Sequence, residues 1–447
     1  MIRYKIREDN GYRRILPLLM WSSLMASTEA TAAGATVTAD DERATERNCP
    51  AGLNEHATCY GGRDRNGAYF LAALPKIPNG ALVVHAHGGP RHIDPDPHGS
   101  DEDLARFAVM VRSGYAWIGT TYRTGGYGVR MAADDVDNSR RIYWKLFGRP
   151  RQTILHGQSY GGNVAAKLVE LAALGEDGKA HYDGVLLTSA AVGKRIETYD
   201  ALFNLRVVYQ YFCRNLPRPD EEQYPAWWGL PKQSQMSREE VRKRVNDCTG
   251  VDQPSTVRTP EKSNNLKAIL GATGISEKQL LPMMELTVVR FQDVVHNFLG
   301  GLNPFDNSKT VYRGSGQDGF LNQGVSRFVG SKKARDLLAY DSDVRGTILI
   351  PTITLHAKFD PVVNYRGQLH YKNVVAQAGQ SHQLLQLLTS EDQHSKMSDN
   401  HYMAALSALA SWIDSQKRPN FASIERVCYA LASTNQQPCS FIAPKER

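Results

Sequence analysis

A serine between glycines is the first candidate for chemistry in this chain of 447 residues. Residues 157–161 read Gly-Gln-Ser-Tyr-Gly, the G-x-S-x-G pattern in which the serine can act as a nucleophile. The pattern alone is weak, because small residues recur in any loop. The run "QTILHG" (152–157) predicts a buried strand before Ser159, and "NVAAKLVELAAL" (163–174) predicts a helix after it. Strand, glycine turn and helix together predict a nucleophile elbow.

Nucleophilic attack on an ester also needs donors for the oxyanion that forms. The elbow directs the backbone amide of Tyr160 towards such an oxygen. The apolar run "ALVVHAH" (81–87) predicts a buried strand beside the elbow strand, and the amides of Gly88 and Gly89 follow it. Pro90 has no N–H and cannot contribute. We therefore expect Gly88, Gly89 and Tyr160 to form an oxyanion hole.

Histidines and acids near this strand also suggest a different site. His85 and His87 stand at its end, and a metal-dependent hydrolase places such residues around a catalytic ion. The other candidate ligands in the following polar loop are His92, Asp94, Asp96 and His98. A metal site would need more ligands at later strand ends, where only His156 occurs. We therefore predict no metal and no cofactor.

Apolar runs and helical patterns alternate along the first half of the chain. The predicted strands are at 67–74, 81–87, 115–122, 152–157 and 184–192, and the predicted helices at 101–113, 130–147 and 163–174. This alternation predicts an α/β fold, with a mostly parallel sheet and helices on both faces.

With these motifs the chain resembles the α/β-hydrolase superfamily, in particular secreted serine esterases, over roughly 66–192 and 346–416. The resemblance rests on H-G-G-P and G-Q-S-Y-G-G, and on two later segments. These are "TILIPTITLHAKFDPVVNY" (347–365), which looks like a strand and acid loop, and "DQHSKMSDNHYMAALSALASWI" (392–413). The resemblance implies an α/β-hydrolase fold with a large helical cap inserted into it.

In such enzymes the catalytic residues occur in the order serine, acid, histidine, which implies Ser159, Asp360 and His394. Asp360 directly follows a predicted strand, from which a carboxylate can orient an imidazole. Asp392 is the alternative acid. His401 would lie in the first turn of a helix capped by Ser398, where the helix dipole disfavours an imidazolium, so we prefer His394 as the base. We expect His356 and His382 to be structural.

We place the domain boundaries by separating the segments that supply the predicted sheet from the segment that does not. We assign residues 36–192 and 346–447 to the hydrolase core, the second part carrying the acid and histidine loops and a C-terminal extension. Residues 193–345 are predicted to form the cap. Its aromatic residues could shape a substrate pocket, but we expect most of them to form the cap's own core.

The N-terminus has the composition of a secretory signal peptide, which we assign to residues 1–35. Five basic residues precede the apolar run "ILPLLMWSSLMA" (15–26), and Ala-x-Ala cleavage sites occur near Ala32 and Ala35. The apolar run is too short to span a bilayer. We expect a secreted or periplasmic protein with no membrane span in the mature chain.

The six cysteines all follow the predicted cleavage site. An even number of cysteines in an exported protein predicts disulfides. Pairing between sequence neighbours is the simplest of the possible connectivities, and it would join Cys49 to Cys59, Cys213 to Cys248, and Cys428 to Cys439.

The formal net charge of +7 is too small and too scattered to indicate a nucleic-acid partner. The sequence therefore predicts a secreted serine hydrolase that cleaves a carboxylic ester, with a small-molecule or oligomeric ester as its substrate. A serine peptidase is the alternative, because H-G-G-P with G-x-S-Y-G-G is also similar to the prolyl-oligopeptidase family. A metal-dependent hydrolase and an inactive binding protein of the same fold are less favoured.

Overall fold

The computed structural model describes residues 36–39, 42–91, 94–175 and 178–443. The predicted signal peptide (1–35) and His92 lie outside the described residues.

A ten-stranded sheet forms the centre of the described chain, in the order β1-β2-β3-β4-β6-β5-β7-β8-β9-β10. The strands from β6 to β10 in this order are parallel, and β1 to β4 form an antiparallel extension that joins β6. This is the mostly parallel sheet of an α/β-hydrolase fold, so the predicted fold class is confirmed. The strands are β1 Thr36–Ala39, β2 Glu42–Arg47, β3 Ala57–Arg63, β4 Tyr69–Pro75, β5 Ala81–Ala86, β6 Ala116–Thr120, β7 Gln152–Gln158, β8 Gly184–Thr188, β9 Thr352–Ala357 and β10 Leu384–Thr389.

The central strands are buried along their whole length. Every residue of β5, β7, β8 and β9 is buried, which explains why their sequences are continuous apolar runs without a two-residue alternation. Alternate residues of β5 belong to two different clusters: Leu82 and Val84 face one, and Val83 faces the other. The sheet therefore has a packed core on each face.

Helices cover both faces of the sheet. Side chains of α3 and α4 pack in the first cluster, and side chains of α1, α2, α13 and α14 pack in the second. These helices, with α12 after β9, are α1 Asp101–Arg106, α2 Ala108–Arg112, α3 Val129–Phe147, α4 Tyr160–Ala172, α12 Arg366–Gln377, α13 Asp399–Ser415 and α14 Phe421–Asn435.

Three local predictions differ from the structure. The predicted helix at 101–113 is divided at Phe107, which leaves the helical region with φ −106° and ψ 23°. The predicted helix at 163–174 begins earlier, at Tyr160, because Gly161 and Gly162 are helical rather than part of a turn. The polar segment 36–58 contains β1, β2 and the start of β3, although it has no apolar run; Ala44 is the buried residue of β2.

A helical insertion separates β8 from β9. Two π-helical turns, Leu286–Arg290 and Val294–Phe298, flank the short helix α9. The whole region that we predicted to be a cap, 193–345, lies within this segment. Its helices are α5 Arg195–Cys213, α6 Arg238–Thr249, α7 Pro260–Thr273, α8 Glu277–Glu285, α9 Phe291–Asp293, α10 Asp318–Gly324 and α11 Lys332–Ser342.

The six cysteines form three disulfides, each between sequence neighbours: Cys49 with Cys59, Cys213 with Cys248, and Cys428 with Cys439. The second joins the end of α5 to α6, and the third joins α14 to the segment after it. Among the helices that the structure describes, none has the length and apolar character required to cross a membrane.

Candidate active site

Ser159 stands at a sharp turn between β7 and α4. Its backbone has φ 57° and ψ −118°, a conformation that is strained for a residue with a side chain. Three hydrogen bonds hold it: its amide donates to Thr188 O at 3.0 Å, and its carbonyl accepts from the amides of Gly162 and Ala191, each at 3.0 Å. The end of β8 and the loop after it therefore fix the strained turn.

The glycines at the start of α4 allow a close approach between backbone segments. A Cβ atom at Gly161 would collide with the carbonyl groups of Ala86 and His87, and one at Gly162 would collide with Ala190. The loop that follows β5 consequently lies directly against the start of α4. The predicted neighbourhood of β5 and β7 is confirmed by their parallel pairing.

A chain of hydrogen bonds connects Ser159 with two residues distant in sequence. His394 Nε2 lies 2.8 Å from Ser159 Oγ, and His394 Nδ1 lies 2.7 Å from Asp360 Oδ2. Asp360 follows β9, and His394 lies in the loop between β10 and α13. The structure thus brings together the three residues that the sequence predicted as nucleophile, base and acid, at distances suitable for proton transfer.

Asp360 is held by its own loop. Its Oδ1 atom accepts hydrogen bonds from the amides of Val362 at 2.8 Å and Val363 at 2.9 Å, and its side chain is buried. Burial alone would raise the pKa of Asp360, but the hydrogen bond and charge of His394, together with the charge of His356, lower it below the ordinary value. Asp360 is therefore a carboxylate at neutral pH and can stabilise an imidazolium.

The three predicted oxyanion-hole residues lie at the same edge of the sheet. Tyr160 is the first residue of α4, where a backbone N–H has no partner within the helix. Gly88 and Gly89 follow β5, and a Cβ atom at Gly88 would collide with the side chain of Gln158. The hydroxyl of Tyr122 donates to His87 O at 3.0 Å, which holds the loop before Gly88 in place.

Gln158 and Ser395 are two site residues that the sequence analysis did not identify. The side-chain amide of Gln158 donates to Ser395 Oγ, and the backbone amide of Ser395 donates to Ser189 Oγ at 3.2 Å. Ser395 follows His394, so these bonds tie the histidine loop to β7 and β8. Their positions next to Ser159 and His394 were a signal, but a contact across 237 residues cannot be inferred from sequence spacing alone.

The histidines of the metal alternative have other partners. His85 Nδ1 lies 2.9 Å from His156 Nδ1, and both side chains are fully buried within the sheet. The His87 ring stacks on Tyr122, with 4.0 Å between the ring centroids, and burial lowers its pKa to about 4. His98 contacts Arg47 and Asp101 near the surface.

Metal-type ligand atoms converge at a different place in the described structure. Across the described ranges, the one group of three histidine, cysteine or acidic ligand atoms close enough to share an ion is His401 with Cys428 and Cys439. The two sulfurs of this group are joined in a disulfide. The predicted metal alternative therefore has no converging ligands among the described residues.

The other candidate bases and acids are occupied elsewhere. His401 Nδ1 lies 2.8 Å from Ser398 Oγ, and its Nε2 accepts from the Ser440 amide at 2.8 Å, so both ring nitrogens have partners. Asp392 forms an ion pair with Lys278 at 2.6 Å on the surface. His356 Nε2 lies 2.9 Å from Val363 O, behind the acid loop, and burial lowers its pKa. His382 is exposed.

Most of the large aromatic side chains of the insertion are packed against one another. Phe291 and Phe305 stack with 4.1 Å between ring centroids, and Phe203 stacks on Phe305 at 5.3 Å. All three are fully buried. Near the elbow, the ring of Tyr127 lies 5.7 Å from that of Tyr160. It also lies 5.1 Å from the ring of Phe298 and 6.2 Å from that of Tyr199, so two aromatic contacts connect the insertion with the site.

Neither a protein-family model nor a curated protein matches this chain. It is similar to the solved structure of Candida antarctica lipase A in its closed state, with 13% identity over 84% of this chain and 82% of that chain and a TM-score of 0.45. It is also similar to feruloyl esterase B from Aspergillus oryzae, with 12% identity over 87% of this chain and 86% of that chain and a TM-score of 0.46. A third similar structure is the esterase from Pyrobaculum calidifontis, with 15% identity over 83% of this chain and 85% of that chain and a TM-score of 0.39. At these identities and TM-scores the similarities carry no argument about activity, and the fold assignment rests on this chain's own strand order.

Proposed function

We propose that this protein is a serine hydrolase that cleaves a carboxylic ester through an acyl-enzyme intermediate. The observation that carries the proposal is the hydrogen-bonded chain from Ser159 Oγ through His394 to Asp360. Such a chain activates a hydroxyl that would otherwise be a weak nucleophile at neutral pH.

In the proposed mechanism, the neutral His394 imidazole carries its proton on Nδ1 and donates a hydrogen bond from Nδ1 to Asp360 Oδ2, which leaves Nε2 free to accept a proton from Ser159. Ser159 Oγ attacks the ester carbonyl while its proton passes to His394 Nε2. The resulting imidazolium is stabilised by the Asp360 carboxylate and then protonates the departing alcohol. A water molecule, activated by His394 in the same way, hydrolyses the acyl-enzyme and restores Ser159.

We further propose that the amides of Tyr160 and of Gly88 or Gly89 stabilise the tetrahedral oxyanion. Backbone donors held in a fixed position need no reorganisation during the reaction, and one such donor contributes about 3–4 kcal/mol of transition-state stabilisation. The packing of Gln158 against Gly88 and the bond from Tyr122 to His87 O support a rigid arrangement of these donors.

The proposal also covers the location of the protein and the role of the helical insertion. The three disulfides support a location in an oxidising compartment, outside the cell or in the periplasm, after removal of a signal peptide. We propose that the helical insertion at 193–345 acts as a lid over the site, supported by the contact of Phe298 with Tyr127 beside the elbow.

A fluorophosphonate probe and a substrate panel test this function. We expect the probe to label the purified protein, and the Ser159→Ala variant to lose both labelling and ester turnover. The Ser411→Ala variant, which changes an exposed serine on α13, is the matched control and should retain both. Turnover of aminoacyl amides without turnover of acyl esters would favour a peptidase instead. Undiminished ester turnover by Ser159→Ala would overturn the serine mechanism.

A further inference from the structure

A cavity of about 330 Å³ lies between the helical insertion and the hydrolase core. Its walls come from the loop after β8 with the start of α5, from the loop after β9, and from α7 and α8 with the turn that joins them. This volume accommodates a small organic group, such as a short acyl chain.

The cavity walls are the direct neighbours of the proposed nucleophile and acid. Ala191, which lines the cavity, donates its amide to Ser159 O at 3.0 Å. Val362 and Val363, which also line the cavity, donate their amides to Asp360 Oδ1. The cavity therefore adjoins the backbone of Ser159 and the loop that holds Asp360.

The position of the cavity fits the acyl part of an ester substrate. The departing alcohol must lie beside His394, because His394 Nε2 has to protonate it. The cavity's lining residues come from the neighbours of Ser159 and Asp360 and from the insertion, and none of them belongs to the described loop at 390–398 that carries His394. A substrate that places its alcohol beside His394 can thus direct its acyl chain into the cavity.

The surface of the cavity is largely apolar, with Val192, Leu202, Leu205, Met283 and Leu286 among its lining residues. Two guanidinium groups, those of Arg195 and Arg366, interrupt this apolar surface. Arg195, the first residue of α5, lines the cavity, and its Nε atom is buried without a hydrogen-bond partner. The guanidinium lies 5.1 Å from the centroid of the Tyr199 ring.

No carboxylate in the described part of the chain pairs with the Arg195 guanidinium. The nearby carboxylate of Asp343 accepts a hydrogen bond from the backbone amide of Arg195 at 2.7 Å instead. Burial would lower the pKa of Arg195, but Tyr199, Tyr127 and the charge of Asp343 raise it overall. The cavity has other charged lining residues. Glu197, its one acidic lining residue, lies 3.2 Å from Lys194 and 3.5 Å from His370, and Arg366 is exposed at the rim. The Arg195 guanidinium thus has the Tyr199 ring beside it but, among the described residues, no carboxylate in an ion pair, and an anionic ligand would offset part of its desolvation free energy.

We propose that this cavity binds the acyl part of the substrate, and that Arg195 binds a carboxylate at the end of that acyl chain. The protein would then prefer half-esters of dicarboxylic acids, in which a short apolar chain separates the scissile ester from a free carboxylate. A guanidinium suits this group because its fork of donors matches a carboxylate's two oxygens. This inference rests on the proposed ester hydrolysis and adds the substrate class to it.

The test compares paired substrates. The p-nitrophenyl half-esters of succinic, glutaric and adipic acid carry the carboxylate, and p-nitrophenyl esters of monocarboxylic acids with matched chain length lack it. The quantity measured is the ratio of kcat/KM for each anionic ester to that for its neutral partner. We expect the wild-type ratio to exceed one for at least one chain length, and Arg195→Met to lower that ratio by about 10- to 100-fold, the range expected for a lost charge-assisted hydrogen bond.

Two further variants separate a specific effect from a general one. Glu197→Gln removes the negative charge that pairs with Lys194 and His370, so the ratio should rise rather than fall. Arg218→Met removes a cap arginine that lies near Glu221 and does not line the cavity, and the ratio should not change. A general loss of folding would lower kcat/KM for both esters by the same factor and would leave the ratio unchanged.

Binding to the Ser159→Ala variant, measured by calorimetry, keeps this inference separate from the proposed activity. Tighter binding of the half-ester than of the neutral ester, abolished by adding Arg195→Met, would support the cavity assignment even if neither ester is hydrolysed. Hydrolysis of both esters with no preference for the half-ester would overturn the assignment and leave the proposed activity standing. A preference that appears only when the carboxylate is on the alcohol part would also overturn it.

Discussion

The imidazole of His394 contacts the hydroxyl of Ser159 at 2.8 Å, although 235 residues separate them in the chain. The contact exists because β7 and β10 end at the same edge of a parallel sheet, and the loops that follow these strands meet there. The bonds from Gln158 to Ser395 and from Ser395 to Ser189 fix the histidine loop at this edge.

Replacement of His394 by alanine should lower kcat for ester hydrolysis by about 10⁴-fold, because Ser159 loses its general base. The melting temperature should change little, since His394 is partly exposed. Steady-state kinetics and thermal unfolding of the same preparation measure the two effects.

The His401→Ala variant is the control for this replacement. His401 is buried and bonded to Ser398 and Ser440, so its loss should reduce the free energy of unfolding by about 1–3 kcal/mol while costing much less activity per folded molecule. Equal losses of kcat in both variants, or a larger loss in His401→Ala, would contradict the assignment of His394 as the base.

The elbow glycine Gly161 gives a second prediction. The Gly161→Ala variant should lose several kcal/mol of stability, because the added Cβ atom would enter the space of the Ala86 carbonyl, a backbone group that cannot move aside easily. Chemical denaturation measures this loss. Gly319 provides a matched helical control, since a Cβ atom there would meet nothing within 4 Å, and Gly319→Ala should be neutral or slightly stabilising. Similar effects of the two substitutions would show that the close approach is not tight.

The sequence predicted the centre of the sheet well, because β5, β7, β8 and β9 are buried on both faces and their apolar runs are continuous. The antiparallel extension was not predicted. Strand β2 reads Glu-Arg-Ala-Thr-Glu-Arg, and with one buried side chain it has no apolar pattern to detect. Antiparallel strands can have one face in water, so their pairing depends on neighbours that the local sequence does not reveal.

Some residues of the candidate site could be predicted from the sequence, and others could not. Ser159 could be proposed from the strand, glycine turn and helix around it. Asp360 and His394 could be proposed from the resemblance to the α/β-hydrolase superfamily, with Asp360 directly after a strand. Gln158, Ser395 and Arg195 could not, because their positions become informative only when the loops that carry them meet. The arrangement of the helical insertion was equally inaccessible, since its amphipathic patterns do not specify which helices are neighbours.

The disulfides differ in the length of chain that they close. Cys213 and Cys248 are separated by 35 residues, whereas Cys428 and Cys439 are separated by 11. If a disulfide acts mainly on the unfolded chain, replacement of the first pair by serine should cost about 1 kcal/mol more than replacement of the second. Urea unfolding of the two double variants tests this difference.

Peptide mapping of the wild-type protein should recover the three disulfides between sequence neighbours. Six free thiols in the exported protein would contradict this connectivity.

Asp103 gives the last prediction, which concerns the pH dependence of stability. This buried residue at the start of α1 pairs with Arg91 at 3.0 Å, and His85 Nε2 lies 3.7 Å from it. Burial alone would raise the pKa of Asp103, but His85, His87 and Arg91 outweigh it and lower the pKa from 3.8 to about 2. Because the folded-state pKa is the lower one, the unfolded chain binds the proton more readily. The stabilisation is therefore present above about pH 4 and disappears as the pH falls towards 2.

Asp103→Asn should lower the free energy of unfolding by on the order of 2 kcal/mol at pH 6, and the difference from wild type should shrink below pH 4. Asp220→Asn, at an exposed surface acid, should show no such trend. A difference for Asp103→Asn that stays constant down to pH 2.5 would show that packing, not the charge of Asp103, causes the loss.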